Sequence, residues 1–317
     1  MFGRKNIFNE LNPSENEMFL NLNSKDLDYI ISLINMYKLI LRDRINVDLD
    51  ETFGLEIECE NANWGKIGKK MIEDWQLTDD LSLENGAEIK SPPLTDSKKN
   101  WDDLRNMCKV LMNHAFIGTH TGGHVHVGIQ ALGHDIKSLI NFMKLWAIYE
   151  HIIYRFSYGE FTGPRPGIKG AAMESKIDFI NACYFYEHAD ASKEEILKHL
   201  SAEKCVAVNF KHYHTLRTLE FRCPNASLNP VIWQNNVNLF VKMMLYAKSD
   251  KFNSSFIEEK FSKIFIIEKT PNEIYVNDAL ELIDLIFDNN LDKIYFLRQY
   301  LKSFEVSKDY EMAKTFC

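Results

Sequence analysis

The sequence predicts an α+β protein in which helices cover one side of a sheet and the other side is a polar site. Three observations carry this prediction. Four short segments alternate apolar residues with charged or histidine residues: Phe53-Gly54-Leu55-Glu56-Ile57-Glu58-Cys59-Glu60, Ala87-Glu88-Ile89-Lys90-Ser91-Pro92, His124-Val125-His126-Val127-Gly128 and Thr218-Leu219-Glu220-Phe221-Arg222. Stretches with helical periodicity separate them. The alternation puts Leu55, Ile57, Val125, Val127, Leu219 and Phe221 on a core face, and Glu56, Glu58, Glu88, His124, His126, Glu220 and Arg222 on the opposite one. Carboxylates crowded on neighbouring strands repel one another, and divalent cations relieve that repulsion.

The elements follow in order. Residues 1–23 are polar and read as loosely ordered. Asn23 or Ser24 caps an expected helix reaching about Arg44, with Ile30, Ile31, Ile34, Tyr37 and Leu41 on one side. The first acidic strand covers about 52–60. A helix is expected over Gly65 to Trp75, and the second strand, about 86–91, stops at Pro92-Pro93. A helix over 98–116 carries Trp101, Leu104, Met107, Val110 and Leu111, and Thr121-Gly122-Gly123 leads into the histidine strand. A long helix fits 135–157. From Tyr158 to Ala172 the chain is rich in Gly and Pro, with the cations Arg165 and Lys169, and reads as a functional loop. Helices at 174–188 and 192–200 precede two strands, about 205–210 and 216–222, flanking Lys211-His212-Tyr213-His214 as a hairpin turn. Helices at 231–248, 256–266, 276–288 and 291–304 complete the chain. This divides it into a helical N-terminal extension (1–49), a central domain (50–250) that carries the polar face and a C-terminal helical segment (251–317) packed on the same domain.

Composition narrows the function. At 317 residues, with 45% hydrophobic and 26% charged residues, the chain is ordinary for a globular protein of one large or two modest domains. No apolar run approaches the roughly 20 residues of a membrane span. Met1 to Asn12 lacks an apolar signal core, and the six cysteines are scattered without a C-x-x-C pair. A cytoplasmic protein with reduced, mostly buried thiols is expected, without a structural zinc site. The net charge of −8, with no basic stripe, argues against nucleic acid as a partner.

Glu56-x-Glu58 sets two carboxylates about 7 Å apart along one strand face, a spacing suited to two adjacent metal ions. Glu60 extends the row as its solvated end. Gly122-Gly123 leaves room beside His124-x-His126 for a ligand to approach. Ile129, Gln130 and Ala131 stand where a cupin would want a Glu, and Gly128 stands where a metallo-β-lactamase-type site would want an Asp. His114, His120 and His134 read as surface or loop residues. Glu220-x-Arg222 joins a ligand to a cation of the type that clamps phosphate bidentately. Carboxylates with a single imidazole favour Mg²⁺ or Mn²⁺ over zinc. A P-loop and a G-x-S-x-G elbow are both missing.

In their order, F-G-L-E-I-E, N-G-A-E-I-K-S-P, T-G-G-H-V-H-V-G and T-L-E-F-R resemble the amidoligase family, within the wider glutamine synthetase and glutamate–cysteine ligase superfamily of carboxylate–amine ligases; the resemblance covers about residues 50–245. It implies a curved, mainly antiparallel sheet of the glutamine synthetase-like type, whose concave face holds divalent cations and ATP. It implies Glu56, Glu58, Glu88, His124 and Glu220 as metal ligands, His126 as a substrate or phosphate contact and Arg222 as a phosphate contact. Arg165, Lys169 and Asn209 are further expected nucleotide contacts. Glu84 is too irregularly placed to complete a second acidic pair, which puts a third metal in doubt. The implied reaction is ATP-dependent amide formation from a small-molecule or peptide carboxylate and an amine, through an acyl phosphate, with Mg²⁺ or Mn²⁺. A guanidino-kinase-like phosphotransferase on the same sheet and a non-catalytic nucleotide- or peptide-binding protein are the alternatives. Ligases of this type often form homo-oligomers, although no heptad or exposed apolar stripe marks a contact here.

Overall fold

The computed structural model describes residues 5–6, 11, 13–19, 21–83, 85–118, 120–161, 172–203, 205–265 and 269–302. The chain begins with β1 (Lys5–Asn6), α1 (Pro13–Met18), α2 (Leu27–Ile34) and β2 (Tyr37–Lys38), where β1 and β2 form a small parallel pair. Then come β3 (Phe53–Cys59), α3 (Trp64–Gly68), β4 (Gln76–Thr78), β5 (Ala87–Lys90), α4 (Lys98–His114), β6 (Gly123–Gly128) and α5 (Ile136–Ser157). The second half holds α6 (Lys176–Ala189), α7 (Lys193–Leu200), β7 (Val208–Asn209), β8 (Thr218–Phe221), α8 (Pro230–Lys248), α9 (Ser254–Phe261), α10 (Val276–Ile286) and α11 (Asn290–Tyr300). Six strands form one open sheet in the order β4-β5-β3-β6-β8-β7, and every pair in it is antiparallel. The α+β class with an antiparallel sheet is therefore as the sequence predicts.

The alternation decides which face is covered. Phe53, Leu55, Ile57, Ile89, Val125, Val127, Leu219 and Phe221 are all buried. Phe221 stacks on Phe240 of α8 at 4.1 Å, and Phe53 stacks on Trp101 of α4 at 4.9 Å. Each such side chain contributes about 1.5–3 kcal/mol when fully buried. The long α5 is buried almost all round, because α6, α8, α9, α10 and α11 pack against it. Caps fix where the helices start: Asp135 accepts from Ser138 N–H at 2.7 Å to open α5, and Asn229 accepts from Val231 N–H at 3.0 Å to open α8. Gly123 is required because a Cβ there would lie 2.3 Å from Trp233 of α8, so sheet and helix meet at van der Waals distance only with glycine.

Several element boundaries differ from the sequence prediction. The helix expected to reach Arg44 ends at Ile34, and its cap is Asp26, not Asn23 or Ser24. Beyond it the backbone is pinned by side chains instead of continuing as helix. Gln234 bonds both Arg42 N–H and Arg42 C=O at 2.9 Å, and the buried Asp96 carboxylate accepts from Ile45 N–H at 2.9 Å and Val47 N–H at 3.2 Å. The helix expected over 65–75 is only the five-residue α3, since Gly65 and Gly68 weaken it, and Gln76–Thr78 instead forms an edge strand that the sequence reading did not foresee. The expected strand at 205–210 is ordered as strand only at Val208–Asn209. Residues 13–18, read as loosely ordered, form α1.

Candidate functional site

The polar face is assembled by strand register. Glu56 stands opposite Lys90 on β5 and His124 on β6, Glu58 stands opposite Glu88, and Glu220 stands between His126 and Asn209. Five strands thus deliver their polar side chains to one floor, beneath a cavity of about 700 Å³. Glu58, Glu88, His124, Glu220 and Asn209 are buried, and Glu56 is partly so.

The histidine is the hub. His124 Nδ1 lies 2.8 Å from Glu56 Oε2, 3.5 Å from Glu220 Oε1 and 3.9 Å from Glu88 Oε1, while its Nε2 lies 3.8 Å from Glu58 Oε1. Gly122 N–H donates to Glu58 Oε2 at 2.5 Å. Asn209 Nδ2 donates to Glu220 Oε2 at 2.6 Å, and Arg222 Nη1 donates to Glu220 Oε1. His126 Nδ1 lies 3.2 Å from Thr218 Oγ1. Its Nε2 is buried without a hydrogen-bond partner, 3.5 Å from Glu56 Oε1, and Arg222 Nε also lacks one. Unpartnered buried polar atoms of this kind call for a ligand or a stored strain.

The electrostatics follow from crowding. Burial alone would raise the Glu56 carboxyl, but the rings of His124 and His126 beside it hold it well below the usual carboxylate range. Burial pushes Glu58 up, against the opposing effects of His124 and the Gly122 N–H. Burial, and then the charge of Glu56, push Glu88 up as well. Burial would lower His124, but its bond to Glu56 outweighs this and raises it. These are the shifts of a site that holds more negative charge than its own cations neutralise.

Three sets of donor atoms lie within 4.8 Å of one another: Glu56, Glu88 and His124; Glu56, His126 and Glu220; and Glu58, Asp80 and Glu88. They are dominated by carboxylate oxygen, which suits hard divalent cations, and with the unpartnered His126 Nε2 the residues fit such ions. Every expected metal ligand, together with His126, Arg222 and Asn209, is brought to this floor. Arg165, Lys169 and Glu84 lie outside the described residues.

One expectation needs correction. Glu60 is not a solvated strand end: it is buried, with His120 Nδ1 2.9 Å from its Oε1. Gly118 makes room for it, since a Cβ there would lie 1.5 Å from Glu60 Oε2. His120 is a partly exposed loop residue, as expected, and it also lines the cavity. The sequence reading also gave no role to Lys90 or Asp80. Lys90 had the signal, because it stands two residues after Glu88 and so shares its face; Asp80 sits in a turn beyond the strand pattern, where alternation says nothing.

Fold and site together define a carboxylate-lined antiparallel sheet protein backed by helices. A family described as "Putative amidoligase enzyme" matches residues 42–162, the part of the chain that carries β3, β5, β6 and α5. That similarity points to an amide-bond-forming ligase. No curated protein matches the chain. Among the described residues no helix is long and apolar enough to cross a membrane.

Proposed function

We propose that this protein is an ATP- and divalent-metal-dependent carboxylate–amine ligase of the glutamine synthetase type. The observation that carries the reading is the convergence of five carboxylates (Glu56, Glu58, Asp80, Glu88 and Glu220) with His124 and Arg222 on one floor. Glu56, Glu58, Glu88, His124 and Glu220, joined by Asp80, would hold Mg²⁺ or Mn²⁺, and such ions supply charge neutralisation for a bound triphosphate. Arg222 lines the same cavity and steadies charge on the transferred phosphoryl group. His126 orients the phosphate or the substrate carboxylate. In the first step a carboxylate oxygen attacks the γ-phosphorus, the bond from that phosphorus to the ADP oxygen breaks, and an acyl phosphate forms. In the second the amine nitrogen attacks the carbonyl carbon, inorganic phosphate leaves with the carbon–oxygen electron pair, and the nitrogen gives up a proton. The cavity, about 700 Å³, has room for a nucleotide triphosphate tail together with a small carboxylate.

The test is ATP turnover by the purified protein with Mg²⁺ or Mn²⁺ across pools of amino acids, peptides and amines, with ADP and phosphate measured separately. Substrate-dependent release of both in equal amounts is expected. Release of ADP without phosphate would instead identify a phosphotransferase.

A further inference from the structure

A lysine sits inside the carboxylate cluster, beside Glu56 and Glu88. Lys90 is paired across the sheet with Glu56, and its side chain lies on the polar face because it follows Glu88 by two residues. Its Nζ is 2.7 Å from Glu88 Oε2 and 3.2 Å from Glu56 Oε1. Glu56 belongs to two of the three donor sets and Glu88 to two, so each set contains at least one carboxylate that Lys90 holds.

Resting on the metal-binding reading above, we infer that Lys90 is a resident counter-ion, which a divalent cation must displace and which a bound polyphosphate then captures, so that metal and nucleotide strengthen each other's binding. An ammonium cannot stay within 3 Å or so of an oxygen that a divalent ion is taking up, because two positive charges a few ångströms apart repel strongly in a partly buried site. The lysine stem is flexible, and the side chain is 34% exposed on the cavity side, which leaves it a route off the pair. Once displaced, its charge faces the space that a polyphosphate fills. Removing Lys90 therefore helps the metal and hurts the anion. Linkage then makes the coupling reciprocal: the anion that draws Lys90 away raises metal affinity by the factor by which metal raises the anion's.

The experiment titrates Mn²⁺, counted by electron paramagnetic resonance, into the full chain and its Lys90→Met and Lys90→Arg variants. It then titrates inorganic tripolyphosphate at saturating Mn²⁺. Lys90→Met is expected to bind Mn²⁺ about tenfold more tightly and tripolyphosphate about tenfold more weakly, while Lys90→Arg stays near the parent in both. Metal-free Lys90→Met should melt below the parent, because Glu56 and Glu88 then repel unscreened, and should gain more from added Mn²⁺. Unchanged Mn²⁺ affinity in Lys90→Met overturns the inference and leaves the site intact. Tighter Mn²⁺ without weaker tripolyphosphate overturns the coupling. Absence of Mn²⁺ binding by parent and variants alike removes the metal reading itself.

Discussion

Glu58 and Glu220 show how much of the chemistry hangs on single side chains. Each is buried, and each faces His124 across less than 4 Å. Replacing either by alanine removes a carboxylate from the polar floor without touching the apolar face. Glu58→Ala and Glu220→Ala are expected to lower Mn²⁺-dependent ATP affinity at least about tenfold while leaving the fold in place, as calorimetry and circular dichroism would read. Full ATP affinity in both variants would contradict the site. Gly123→Ala works in the opposite way: it adds a methyl against the Trp233 ring and should destabilise by about 1–3 kcal/mol in urea unfolding. At this scale the sequence was most informative for residues inside strands, where an alternation of two assigns a face. It was silent for Asp80, and it misplaced Glu60, because the burial of that side chain depends on a close approach at Gly118 that no local pattern encodes.

The strands themselves carry the second lesson. β3 lies in the register that alternation requires, with Leu55 opposite Val125 and only 1% exposed. Leu55→Asp buries a carboxylate in the apolar layer and is expected to prevent folding, seen as loss of soluble protein or of a cooperative melt. Helix α5 carries a further prediction through Glu150, which accepts from Trp146 Nε1 and Ser175 N–H, both at 2.7 Å, and so fixes the start of α6 beside the cavity. Burial pushes the Glu150 carboxyl up to about 7. A carboxyl raised in the folded state binds its proton there more tightly than in the unfolded chain. Its contribution is fully present below about pH 4.5 and is lost as pH rises through about 7, a change of about 3 kcal/mol. Denaturant unfolding between pH 5 and 8 should show that decline in the parent and a flatter profile in Glu150→Gln. Helices with capped, periodic sequences, such as α4, α5 and α8, were legible from sequence. α2 was over-extended, and the residues that hold the chain beyond it in non-helical form, Gln234 and Asp96, lie 192 and 51 residues away from the backbone they bind.

For the molecule as a whole, the segment before β3 is fastened to helix α11. Arg42 and Asp292, both with side chains 1% exposed, meet at 2.5 Å, and Arg298 donates to the carbonyls of Ile34 and Tyr37. A buried ion pair and buried guanidinium–carbonyl bonds thus lock the segment before β3 to helix α11. Asp292→Ala leaves the Arg42 guanidinium buried and unneutralised and should destabilise the protein by about 3–5 kcal/mol in urea unfolding. No sequence pattern announces a contact of this range. The antiparallel sheet and the polar floor could be read because each depends on short segments repeated in order, whereas this seal depends on residues 250 positions apart.

The strand order has a consequence for how the protein comes into being. β3, β5 and β6 are translated close together and can pair as soon as they emerge, but β8, which closes β6 on its other side, follows about ninety residues later. Until then a nascent chain presents the edge of β6, with Val125 and Val127 alternating beside unpaired backbone groups, which is a template for intermolecular pairing. Glu220 and Arg222 arrive with that same late strand. The half-made sheet is thus both sticky and chemically incomplete, and the stroke of synthesis that seals its edge is the one that finishes the site.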